Sequence, residues 1–214
     1  MEAKQKRAEV RVVDHPLIGA RLSILRAKTT SYDEFRHNLQ EISVLLLVEA
    51  SRGWATTSIE IETPLKSCAG VMMAKPIVLV PILRAGLGML DGMLRMVPDS
   101  AVGHIGLWRD PATLRPRPYY SRLPETVAQA EVLLIDPMLA TGHSACEAVS
   151  FLKKNGAQRI QFVCVIACPA GVEQLQTQHP DVPIFTSAID SELNASAYIV
   201  PGLGDAGDRY FGTD

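Results

Sequence analysis

The chain has 214 residues, 47% of them hydrophobic and 21% charged, enough to bury one sizeable core. Lys and Arg number 21 against 23 Asp and Glu, so the net charge of -2 gives no bulk attraction to nucleic acid or to a membrane. No apolar run approaches the roughly 20 residues of a bilayer span, and the charged start MEAKQKRAEV lacks the apolar stretch of a secretory signal.

In chain order, Ser31 or Asp33 caps a predicted helix whose apolar positions Phe35, Leu39, Ile42, Leu45 and Leu46 follow helical spacing. Residues 56–64, TTSIEIETP, alternate apolar and polar and predict a strand. The run PIVLVPIL over 76–83 has strand length and leads through Arg84-Ala85-Gly86-Leu87-Gly88 into a Met/Leu-rich helix over 89–96. Residues 102–108 predict a further strand. The Pro- and Arg-rich stretch 109–124, with Tyr119-Tyr120, lacks periodicity and reads as a projecting arm or loop.

A strand over 132–135, a helix over 144–154 closed by Asn155-Gly156, a buried strand over 159–167, a short helix over 171–178 and a strand over 182–187 follow. Strands that are apolar throughout, alternating with helices, predict a parallel sheet covered on both faces. The expectation is one α/β domain over 1–214, with its ligand crevice at the carboxyl ends of the strands near Arg84, Arg109 and Asp136.

Cys68, Cys146, Cys164 and Cys168 form no CxxC pair and no zinc-like spacing with histidine. Cys164 and Cys168 lie in or beside the apolar run FVCVIACP and read as buried thiols, which fits a reducing, cytoplasmic setting.

The densest chemical signal is DPMLATGHS, Asp136 to Ser144, set directly after the apolar strand VLLI. A loop of small residues lets several backbone N–H groups converge, and the following helix adds its positive dipole end, so the loop is a phosphate cradle. The carboxylate ahead of it suits paired hydroxyls, as a ribose 5-phosphate presents. An ordinary strand–turn–helix with Thr141 or Ser144 as a cap is the plain alternative. GLGDAG (202–207) formally matches the dinucleotide pattern GxGxxG, but only seven residues follow Gly207, too few for the rest of such a unit. There is no GxxxxGK[ST], which excludes a P-loop kinase.

DPMLATGHS resembles the phosphoribosyl-diphosphate (PRPP) binding motif of type I phosphoribosyltransferases, in the form found in the uracil phosphoribosyltransferase family. ILRAGLGM (82–89), HIGLWRD (104–110), YYSRLP (119–124) and YIVPGLGDAGDRYFGT (198–213) resemble that family too, with weaker support from DHPLI (14–18) and the ETP at 62–64. The resemblance implies the type I phosphoribosyltransferase fold and a reaction joining uracil to PRPP to give UMP and diphosphate, with Mg²⁺ carried on the diphosphate. It implies PRPP contacts from Arg84, Arg109, Asp136, Pro137, Met138, Leu139, Ala140, Thr141, Gly142, His143, Ser144 and Asp205. Among these, Asp136 would take the ribose hydroxyls while Arg84 and Arg109 take the diphosphate; the three form the implied catalytic set. Uracil would be read by Ile199 and by Gly204, Asp205 and Ala206, with Asp205 also on the Mg²⁺ side.

A homodimer or higher assembly, and in some members GTP activation, are further implications that no residue here displays. The alternative is an RNA-binding pyrimidine-operon regulator on the same fold, which the near-neutral charge does not favour. The sequence departs from the family at His143, where a second glycine is usual. It carries a single ribose carboxylate, Asp136, flanked by Ile135 and Pro137.

Overall fold

The computed structural model describes residues 7–109 and 116–213; of Arg109 only the backbone is described. After β1 (Val10–Val12), Pro16 at the first helical position opens α1 (Pro16–Arg26), where His15 Nδ1 accepts the Leu17 N–H at 3.2 Å. α2 (Tyr32–Ala50) begins with a capping box: the Ser31 N–H and hydroxyl both donate to Glu34 Oε2. Its buried face carries Phe35, Leu39, Ile42 and Leu46, as the spacing predicts; Leu45 is only partly buried.

The expected strand at 56–64 is β2 (Thr56–Glu62), and it pairs antiparallel with β3 (Ser67–Met73) in a hairpin that is exposed along nearly its whole length. β4 (Ile77–Leu83) leads into α3 (Leu87–Met96), followed by β5 (Ala101–Val102) and β6 (His104–Arg109). The arm is a strand where it is described: β7 (Pro116–Arg122) runs antiparallel to β6 with a register irregularity between Gly106 and Leu107. Prolines at 116 and 118 hid it, since a strand with prolines is tolerated only at a sheet edge, and β7 is the edge. Residues 110–115 of the expected arm lie outside the described set.

β8 (Glu131–Ile135), β9 (Met138–Leu139) and α4 (His143–Lys154) contain the phosphate-loop motif. The expected strand at 159–167 divides into β10 (Arg159–Val163) and β11 (Ile166–Ala167), and α5 (Pro169–Gln178), β12 (Ile184–Thr186) and β13 (Ala188–Ile189) follow. β14 (Glu192–Leu193), β15 (Ile199–Val200) and α6 (Ala206–Phe211) complete the chain.

The main sheet has the order β1-β12-β10-β8-β4-β6-β7, parallel except at β6/β7, with β5 also on β4. Successive side chains of each central strand serve opposite faces. Leu79, Leu133, Ile135 and Val163 pack with α1, α2, α3 and α6; Val78, Val80, Val132, Leu134 and Phe162 pack with α4 and α5. Two hydrophobic cores therefore lie back to back, which is why these strands are apolar without alternation. Each fully buried Leu or Phe contributes roughly 1.5–3 kcal/mol of burial free energy. No helix among the described residues is long and apolar enough to cross a membrane.

Candidate active site

β4 and β8 are neighbours in the sheet, so their carboxyl ends put Ala85 and Asp136 at one crevice. The short strands β9, β11 and β13 pair with one another just beyond β8, β10 and β12 and extend this edge. A cleft of about 340 Å³ opens there. One wall is Met138, Leu139, Ala140, Thr141, Gly142, Ser144 and Ala145; the other is Ile199 with Gly204, Asp205, Ala206 and Gly207. Asp136 lines it as well.

The phosphate-loop wall is shaped by backbone. Gly142 caps α4 with φ of 81°, in the left-handed region, and a Cβ there would meet the Gly171 carbonyl oxygen at 2.8 Å and Gln174 Cβ at 2.9 Å. Gly171 on α5 is equally confined: a Cβ would meet the Leu139 and Ala140 carbonyl oxygens at 2.5 and 2.6 Å. The start of α5 is thus pressed directly beneath the loop. Helical bonding in α4 begins with Cys146 N–H to Gly142 O, so the amides of residues 143–145 have no partner within the helix and serve the amino end of its dipole.

Asp136 is partly buried, and its Oδ1 accepts the Met138 N–H at 3.3 Å. Burial pushes its carboxyl up to about 7; nearby Asp205 adds repulsion, and the Met138 amide only partly offsets both. A carboxylate so placed gains from hydroxyl donors or a cation entering the cleft.

The opposite wall is tied down by long-range bonds. Asp205 caps α6, its Oδ1 accepting the Asp208 N–H at 2.9 Å and its Oδ2 the Tyr198 hydroxyl at 3.4 Å. Gly202 N–H donates to buried Asp190 at 2.8 Å, and Arg26 holds the same carboxylate in a fork at 2.6 and 2.7 Å. Burial alone would raise the Asp190 carboxyl, but the Arg26 and Gly202 hydrogen bonds outweigh it and hold it below the usual range. Arg209 donates to the Leu203 and Ala27 carbonyls at 2.8 Å each and to the Leu25 carbonyl, while its guanidinium lies over the Phe35 ring at 4.5 Å. The end of α1 and the glycine-rich turn are thereby one unit.

A model of the uracil phosphoribosyltransferase family, "UPRTase: Uracil phosphoribosyltransferase", matches residues 12–213. The chain belongs to that family. A protein from Dictyoglomus turgidum named uracil phosphoribosyltransferase is 55% identical over 203 residues, 94% of this chain and 98% of its own length. A solved structure, the AQ2163 protein from Aquifex aeolicus, superposes with a TM-score of 0.91 at 36% identity, covering 96% of this chain and 99% of that one. Adenine phosphoribosyltransferase from Trypanosoma brucei matches at a TM-score of 0.55 and 13% identity, over 84% of this chain and 82% of that one, a likeness of fold. The fold is the type I phosphoribosyltransferase fold, and the chain is a phosphoribosyltransferase enzyme.

The structure places the expected residues of a uracil phosphoribosyltransferase site differently from one another. Asp136, Met138 to Gly142, Ser144, Ile199, Gly204, Asp205 and Ala206 all line the cleft. Pro137 is buried beneath the loop, its carbonyl accepting the Val165 and Ile166 N–H groups, and exposed His143 points its ring at Thr141. Arg84 lies at the rim, exposed, with its guanidinium on Asp208 at 3.2 Å and Thr213 at 3.5 Å and 5.9 Å from the Phe211 ring centre; the Leu83–Arg84 peptide is cis. The Arg109 side chain lies outside the described residues. Sequence reasoning missed Ala85, Ala145, Ser196, Ala197, Tyr198 and Gly207 as lining residues. The rim at 196–198 had one legible signal, Asn194, whose Oδ1 accepts the N–H groups of Ser196 and Tyr198 and so bends the chain over the cleft.

Proposed function

We infer that this protein transfers the 5-phosphoribosyl group of PRPP to uracil, giving UMP and diphosphate in pyrimidine salvage, with all 214 residues acting as one catalytic domain. One observation carries the reading: a single cleft holds both a phosphate loop on α4 and the glycine-rich turn before α6, with a carboxylate between them. In this reading the residue 143–145 amides and the Thr141 and Ser144 hydroxyls hold the 5-phosphate. Asp136 accepts from the ribose hydroxyls, which orient the reacting carbon toward the base.

Breaking the bond between C1 of the ribose and the diphosphate builds positive charge on the ring and negative charge on the leaving group. No protein nucleophile is needed; positioning and charge stabilisation suffice. Arg84, released from Asp208, and Arg109 offer guanidinium forks to the diphosphate. The mutual repulsion of Asp136 and Asp205 fits a divalent cation, and Mg²⁺ arriving on PRPP would be held on the Asp205 side. When bound, Mg²⁺ neutralises charge on the departing diphosphate.

Uracil meets Ile199 and the backbone of 204–206, a fixed donor and acceptor pattern. Cytosine, with an amine where uracil has a carbonyl, would leave buried groups unpaired at roughly 1–3 kcal/mol each. Assembly of like subunits is supported by the β2–β3 hairpin, which exposes Leu65 at 94%, Val71 at 72% and Met72 at 54%. GTP as an effector enters through the family resemblance alone, and the cytoplasm through the four free thiols.

The decisive experiment supplies PRPP and Mg²⁺ with uracil, cytosine, hypoxanthine and adenine in parallel. UMP from uracil alone is expected; no product from uracil overturns the reading. Repeating it with and without GTP tests the effector, and light scattering tests the assembly.

A further inference from the structure

His143 opens α4 at the phosphate loop, exposed and absent from the cleft lining, yet its Nδ1 lies 3.0 Å from Oγ1 of Thr141, which does line the cleft. We propose that His143 is a positioning residue: by donating from Nδ1 to Thr141 it turns the threonine hydroxyl proton toward the bound 5-phosphate, coupling phosphate binding to proton uptake on the ring. This inference rests on the PRPP reading of the loop.

The argument is one of proton supply. A threonine hydroxyl has one proton and two lone pairs, and an imidazole Nδ1 either accepts or donates. When Nδ1 is bare, the hydroxyl gives its proton to the ring and presents only lone pairs to the cleft, which repel a phosphate oxygen. When Nδ1 bears hydrogen, the ring donates, and the hydroxyl proton is free for the phosphate. The imidazolium always bears that hydrogen. It also adds a positive charge to the helix end where a dianion binds, so the proton and the phosphate each strengthen the other's binding.

The charged groups around α4 are few. On its own helix Glu147 follows one turn later, and Lys153, engaged with Asp181, and Lys154 stand at the far end. Among the elements packed against α4, α5 carries Glu173, engaged with Arg7; β8 carries Glu131, engaged with Arg159; and β7 carries Arg117 and Arg122. The acidic groups of α5 and β8 thus have cationic partners, and the incoming phosphate is the change in charge that the ring responds to.

The test uses the full chain with labelled histidine, the His143 signal being assigned by its loss in His143→Gly. The imidazole is titrated by NMR with and without saturating ribose 5-phosphate. The midpoint is expected to move to higher pH by about half a unit, equivalent to roughly threefold tighter binding of the sugar phosphate when the ring is protonated. Thr141→Val should abolish most of that movement and Thr141→Ser restore it. In parallel, the affinity for ribose 5-phosphate is measured from pH 8 to pH 6 in the original protein and in His143→Gly, which share the titration of the ligand's own phosphate. A steeper gain in the original protein supports the relay. Equal pH dependence in the two proteins overturns it, as does a midpoint movement that keeps its full size in Thr141→Val, since the ring would then act by charge alone. Ribose 5-phosphate that leaves the amide signals of residues 140–144 unmoved would instead overturn the PRPP reading beneath it.

Discussion

The two walls of the cleft are built by opposite strategies. The phosphate wall is one contiguous strand, loop and helix, β8 to α4, whose donors are mostly backbone and whose loop is shaped by Gly171 and Gln174 of α5. The base wall is assembled across the chain: the turn at 202–207 is held by Arg26, Asp190 and the carbonyls at the end of α1. A local wall depends on backbone geometry, whereas a wall of distant parts depends on the ionic and hydrogen-bonded ties between them. The two should therefore break in different ways.

The largest expected effect falls on the residue between the walls. Asp136→Asn should lower turnover by about 10²–10³-fold, the scale for removing one preorganised polar contact. The same change should stabilise the ligand-free protein at pH 8. With its native carboxyl raised to about 7, the folded state binds more protons than the unfolded one between about pH 4 and 7, so stability falls as pH rises through that window. A melting curve at pH 5 and pH 8, beside a turnover assay, checks both; near-normal turnover would refute the role given to Asp136.

Breaking the phosphate wall needs only a methyl group. Gly142→Ala combines left-handed backbone strain with collision against α5, about 2–4 kcal/mol of destabilisation, and should raise the PRPP KM more than the uracil KM. Breaking the base wall needs loss of a tie instead. Asp190→Ala leaves Arg26 without its buried partner, at about 2–3 kcal/mol, and should raise the uracil KM while the PRPP KM changes less. If both variants shift the two KM values alike, the contrast between the walls fails.

The smallest effect sharpens the phosphate side. His179 bridges α4 and α5: Lys153 donates to Nδ1 at 3.4 Å, so the ring proton sits on Nε2, 3.1 Å from the Cys146 carbonyl. Burial, with Lys153 adding to it, lowers the ring below its ordinary value, so stability falls as pH drops through about 6.5. His179→Gln should flatten the loss of melting temperature between pH 7.5 and 5.5 by a few degrees; an unchanged slope would count against the bridge.

The same contrast governs what could be read from the sequence. DPMLATGHS was legible because its chemistry and its geometry share one segment. The central strands were legible because two buried faces leave no polar position in VLLI or IVLV. α1 was not, since its capping residue is a histidine and Gly19 interrupts the helical pattern. β3 was not, because SCAGVMM contacts little but its own hairpin and so carries no alternation. α6, six residues long, is held by Arg209 and by Asp205 at its cap rather than by propensity. Arg84 could be placed at the carboxyl end of β4, but nothing in ILRAG shows that its guanidinium lies against Asp208 and Phe211.

Gly171 touches neither wall's surface, yet the space for its missing side chain is already filled by two carbonyl oxygens of the phosphate loop. It acts as a spacer beneath a floor. Any side chain at 171 must lift Leu139 and Ala140 toward the opening or tilt α5 away, so the depth of the cleft is set from outside, by a residue that does not line it.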